Sequence, residues 1–64
     1  MRTLELLKKG DVSLVVVLNE DGAVQQFVTC RWYDSTMEYG DQWTWGHYFG
    51  KDLKAALKDF EDRA

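Results

Sequence analysis

Sixty-four residues make one domain, residues 1–64, near the lower limit at which a single core folds unaided. Cys30 is the one cysteine, so no intrachain disulfide is available, and Cys30 with His47 falls short of the four soft ligands a structural zinc wants. Eleven acidic against eight basic side chains, net −3, disfavour a phosphate-dominated nucleic-acid binder, and the aliphatic run Leu14 to Leu18 is far too short to span a membrane.

The remaining route to stability is a dense core or a partner subunit, and 14% aromatic residues with three Trp favour the core. The free cysteine, and the lack of an apolar leader after Met1, predict a reducing, cytoplasmic setting. No cofactor is implied.

Residues 3–9 (TLELLKK) are expected to form a short helix, with Thr3 as its cap, Leu4 and Leu7 on one side and Gly10 closing it; a short edge strand is the alternative. Residues 12–19 (VSLVVVLN) are β-branched and aliphatic and predict a strand. Asn19-Glu20-Asp21-Gly22 predicts a type I turn with Gly22 left-handed. That turn sets Leu18 opposite Val24, Leu14 opposite Val28 and Asp11 opposite Arg31. Val12, Leu14, Val16 and Leu18 then share an inner face with Val24, Val28, Cys30 and Trp32.

The polar stretch 34–41 (DSTMEYGD) reads as a loop, followed by a third strand over 42–49 (QWTWGHYF). Strict alternation puts Trp43, Trp45, His47 and Phe49 inside, and Gln42, Thr44, Gly46 and Tyr48 outside. Buried in this way, Trp45 would cost about 3–5 kcal/mol on truncation to Ala. Leu53, Ala56, Leu57 and Phe60 recur at helical spacing and mark a closing amphipathic helix, with Asp52 in its first turn. The fold class is α+β: a three-stranded antiparallel meander with a short N-terminal helix and a C-terminal helix on one face, in the order α-β-β-β-α.

One helix covers one face of such a sheet, which leaves Val15, Val17, Phe27, Arg31, Tyr33, Thr44 and Tyr48 as an outer face with little charge. The functional expectation is therefore a non-enzymatic interaction module that offers this face to a protein partner or to a second copy. Scattered surface apolar residues are the plainer alternative.

Other clusters carry less. Cys30 with His47 has the ingredients of a thiol nucleophile and base, but no orienting group or oxyanion loop accompanies them, and a buried structural cysteine is the simpler reading. Asp34, Glu38 and Asp41 offer oxygens without the spacing of a calcium loop, so a solvated acidic loop is expected and no metal. His47 itself suits a core or boundary position. The aromatic strand could stack bases or sugars, against the more ordinary role of core rings.

Two resemblances attach to these residues. The run Arg31-Trp32-Tyr33-Asp34, then Trp43 to Phe49, then Lys58-Asp59-Phe60-Glu61 resembles small domains carried by bacterial conjugative elements and phages. It covers roughly the C-terminal half, and implies a bacterial cytoplasmic protein with no particular activity. The α-β-β-β-α order resembles the double-stranded RNA-binding domain, which grips phosphates at the start of its last helix. Lys51, Lys54 and Lys58 partly match that basic cluster, and with Arg31 they form the alternative, nucleic-acid reading. Asp52 and Asp59 interrupt the cluster, and the net charge opposes binding.

Overall fold

The computed structural model describes residues 1–64 as four strands followed by one helix: β1 (Arg2–Lys9), β2 (Val12–Leu18), β3 (Val24–Arg31), β4 (Thr44–Tyr48) and α1 (Leu53–Arg63). The strands are antiparallel neighbours in chain order, so β1 and β4 are the two edges. The class is α+β, but the expected N-terminal helix is a strand, the sheet has four strands rather than three, and the order is β-β-β-β-α. The order on which the likeness to the double-stranded RNA-binding domain rests is therefore not that of this chain.

Gly10 explains the difference. A left-handed glycine suits the end of a helix, and equally the first central position of a type II′ hairpin turn. Here Gly10 has φ 62 and joins Lys9 to its partner Val12 through a two-residue turn. A seven-residue helix gains too few hydrogen bonds to offset its nucleation, whereas the same residues laid along β2 gain a ladder.

The second turn forms as its sequence indicates. The Gly22 amide donates to the Asn19 carbonyl at 2.9 Å, Gly22 has φ 89, and Leu18 lies opposite Val24. One residue further the expected register fails. Val17 pairs with Gln26, so Gln25 is an extra residue in β3, a β-bulge. Leu14 consequently faces Thr29 rather than Val28, and Val12 rather than Asp11 faces Arg31. Because side chains alternate, that single slip moves every later residue of β3 to the opposite face.

Two apolar clusters result, one on each side of β2. Val12 and Leu14 pack with Ala56 and Phe60 of α1, joined by Phe27, Phe49 and Leu57. Val15, Val17, Val28 and Cys30 form the second cluster on the other face, with Tyr33 and Trp43 against it. Every residue of β2 is buried, as a central strand covered on both faces must be. Asp52 caps α1, its side chain accepting from the Ala55 amide at 3.0 Å; it is the N-cap rather than a first-turn residue. No helix is long and apolar enough to cross a membrane.

Candidate interaction surface

The face away from α1 is roofed by the segment between β3 and β4. Gln42, expected to point to solvent, is buried and ties the roof down. Its amide donates to the Met37 carbonyl at 3.1 Å and the Ser35 carbonyl at 3.3 Å, and its Oε1 accepts from Thr3 Oγ1 at 2.8 Å. The Thr3 proton is then committed, so the Tyr33 hydroxyl donates to Thr3 Oγ1, 2.7 Å away. Trp43 is the centre of an aromatic group, with the rings of Tyr33 and Tyr39 each 6.3 Å and that of Tyr48 6.4 Å from its own. Trp43 Nε1 donates to the Tyr48 hydroxyl at 3.0 Å. Gly46 lies under that contact: a Cβ there would stand 2.6 Å from the Tyr48 oxygen and 2.9 Å from Trp43 Nε1.

A second bulge decides where the tryptophans go. Thr29 pairs with His47 and Arg31 with Thr44, so three steps along β4 match two along β3. Trp45 lies in the bulge with φ 54. His47 and Phe49 keep the side facing α1, as alternation predicts, but across the bulge Trp43 belongs to the opposite cluster and Trp45 is 71% exposed. Neither Trp packs on the helix as expected. Trp32, assigned to the inner face by sequence, also has a left-handed φ, 55, and is 60% exposed. The two tryptophans are the immediate neighbours of one registered pair, Arg31 and Thr44.

Hydrogen bonds hold both in place. The Trp32 amide donates to the Asp11 carbonyl at 2.9 Å, while Arg31 Nη1 meets both carboxylate oxygens of Asp11, at 2.7 and 2.9 Å. From the last turn of α1, Arg63 Nη2 donates to the Trp45 carbonyl at 2.8 Å, and its Nη1 to the carbonyl and hydroxyl of buried Thr29, both at 3.1 Å. Thr29 Oγ1 in turn donates to Asp59 Oδ2 at 2.5 Å, and His47 Nδ1 lies 2.9 Å from the same oxygen. Burial opposes ionisation of Asp59, but the bonds from Thr29 and His47 and the charges of His47 and Arg63 together outweigh it and lower its pKa. An ionised carboxylate only accepts, so His47 Nδ1 carries the proton.

The seven residues assigned to the outer face do not share one. Val15 and Val17 are fully buried beneath the roof, with Tyr33 as part of that roof. Phe27 packs with the helix cluster, the opposite side of the sheet. Arg31, paired to Asp11, and the exposed Thr44 lie beside Trp32 and Trp45, and Tyr48 is exposed further along β4. Sequence reasoning missed Trp32 and Trp45; tryptophan at a left-handed position leaves no signature in a single chain.

The remaining candidates separate in space. Cys30 lies in the cluster away from the helix and His47 on the helix side, bonded to Asp59, so the two are not a catalytic pair. Burial pushes the Cys30 thiol up to about 11, which keeps it protonated at neutral pH. Thr29 bonds to Asp59 rather than to His47, and being buried it offers no nucleophile. Asp34 accepts from the amide and hydroxyl of Thr36 at 2.9 and 2.6 Å, bonds that lower its pKa and make it a turn-former. Nowhere do three His, Cys, Asp or Glu side chains gather as round a metal ion. Lys51, Lys54 and Lys58 are exposed, but Arg31 is engaged by Asp11.

Comparison of the chain with protein-family models, curated proteins and solved structures finds no match.

Proposed function

We propose that this chain is a small non-enzymatic interaction module that binds a protein partner through Trp32 and Trp45, flanked by Arg31, Thr44 and Tyr48. One observation carries the reading: two tryptophans, both in left-handed backbone and both mostly exposed, flank one registered pair, Arg31 and Thr44. A left-handed conformation costs a residue with a Cβ about 1–2 kcal/mol. Exposing most of an indole forgoes the burial that a 64-residue domain needs. Hydrogen bonds at the Trp32 amide and the Trp45 carbonyl hold the backbone, but neither exposed indole is covered within the chain. Strain and exposed large apolar groups recur where a protein meets a ligand, and Trp, Tyr and Arg are the residues most enriched among interface hot spots. The surface is open, with no pocket to hold a small substrate.

The likeness to domains of bacterial mobile elements makes a bacterial cytoplasm the setting in which we would seek the partner. The test is a paired affinity capture from bacterial lysate with the wild type and the Trp32→Ser/Trp45→Ser double variant. Far-UV circular dichroism establishes that both are folded. The reading expects a protein retained by the wild type and absent from the variant. Identical recovery by both would overturn it.

A further inference from the structure

We propose that two copies of the chain join along β1, antiparallel and related by a two-fold axis. Glu5 of each copy would face Lys8 of the other, and four strands from each would make a continuous eight-stranded sheet. This surface is the opposite edge of the sheet from Trp45, and the inference does not depend on the reading above.

β1 is eight residues long and has a neighbour on one side only. Its Leu4, Leu6 and Leu7 are 44 to 48% exposed. Leu4 pairs with Val16 and Leu7 with Leu14, so both lie on the side that bears α1, yet the helix packs on β2 and β3. A long edge strand with exposed leucines is a template for another strand.

The charges select a second copy as that strand. Read forwards, β1 runs Glu5, Leu6, Leu7, Lys8; a reversed copy reads Lys8, Leu7, Leu6, Glu5. Setting Glu5 against Lys8 therefore makes two equivalent opposite-charge pairs around a leucine centre. The faces agree as well. The bulge at Leu6, between Glu5 and Leu7, puts Glu5 and Lys8 on the same side of the sheet, opposite Val15 and Ser13. Sliding the copy to set Glu5 against Glu5 would oppose like charges. The other edge is poorly suited to the same use. β4 has five residues, is broken by the bulge at Trp45, and has the Trp45 carbonyl already bonded to Arg63. Pairing through one edge only closes as a dimer rather than a fibre.

Sedimentation over a concentration series tests this. The wild type should pass from monomer to dimer, and Trp32→Ser/Trp45→Ser should do the same. Lys8→Glu sets Glu5 against a carboxylate at both ends of the contact and should weaken the dimer about tenfold. An equimolar mixture of Lys8→Glu with Glu5→Lys should dimerise more tightly than either variant alone. Glu5 also accepts from the Ser13 hydroxyl at 2.5 Å, so its variant is checked by circular dichroism. If it does not fold, Leu6→Lys takes its place as the disrupting variant. A strict monomer at the highest concentration, an open-ended polymer, or a dimer indifferent to both Lys8→Glu and Leu6→Lys would overturn the proposal.

Discussion

Gly46 shows how closely single side chains define this surface. Its bare backbone is what lets the Tyr48 hydroxyl and the Trp43 indole meet above it. Gly46→Ala would press a methyl into both, and we expect a loss of about 1–3 kcal/mol with a changed near-ultraviolet dichroism of the aromatic group. Urea unfolding measures the first and the spectrum the second; an unaltered spectrum would mean the rings are not packed as described. Cys30 makes a separate test. Its thiol is buried, held protonated, and within reach only of the Ser13 carbonyl, at 3.9 Å. A thiol reagent at pH 8 should therefore label it at the rate of unfolding, and rapid labelling of the native protein would contradict its burial.

The elements are joined by the network from α1 to β3 and β4. Asp59 titrates lower in the folded chain than in the unfolded one, so its contribution is fully present above the unfolded carboxyl pKa, about 3.9. It is lost as pH falls through the folded value. Asp59→Asn should accordingly be less stable than the wild type at pH 6, and the gap should narrow below about pH 4. A gap independent of pH would mean that the carboxylate charge plays no part.

How far these elements could be read from sequence follows from the same physics. β2, β3, the Asn19–Gly22 turn and α1 were legible because β-branched runs, a turn glycine and helical spacing are local signals. β1 was legible only as the alternative to a helix, since Gly10 serves a helix end and a hairpin turn equally well. Facing was lost at two bulges, at Gln25 and at Trp45. Each inserts one residue that alternation cannot foresee: the first inverts the rest of β3, and the second puts Trp43, on its far side, opposite to His47 and Phe49. The outer-face set therefore mixes Val15 and Val17, which are core, with Thr44 and Tyr48, which are surface.

At the scale of the whole molecule, thirteen of 64 residues are buried, while Trp32, Trp45, Tyr48 and three leucines of β1 remain in solvent. A domain this small has only a few kcal/mol of net stability. Large apolar groups left outside are then a substantial forgone gain, and in this account they are left outside for contact with other molecules. The claim turns on Trp45, which the strand pattern alone would place in the core. The most direct measurement is the urea midpoint of Trp45→Gly against the wild type. Glycine takes a left-handed φ without strain, and little buried area is lost, so the account predicts unchanged stability or a gain of up to about 1 kcal/mol. A loss of about 3–5 kcal/mol, the cost of removing a core tryptophan, would place Trp45 inside and contradict it.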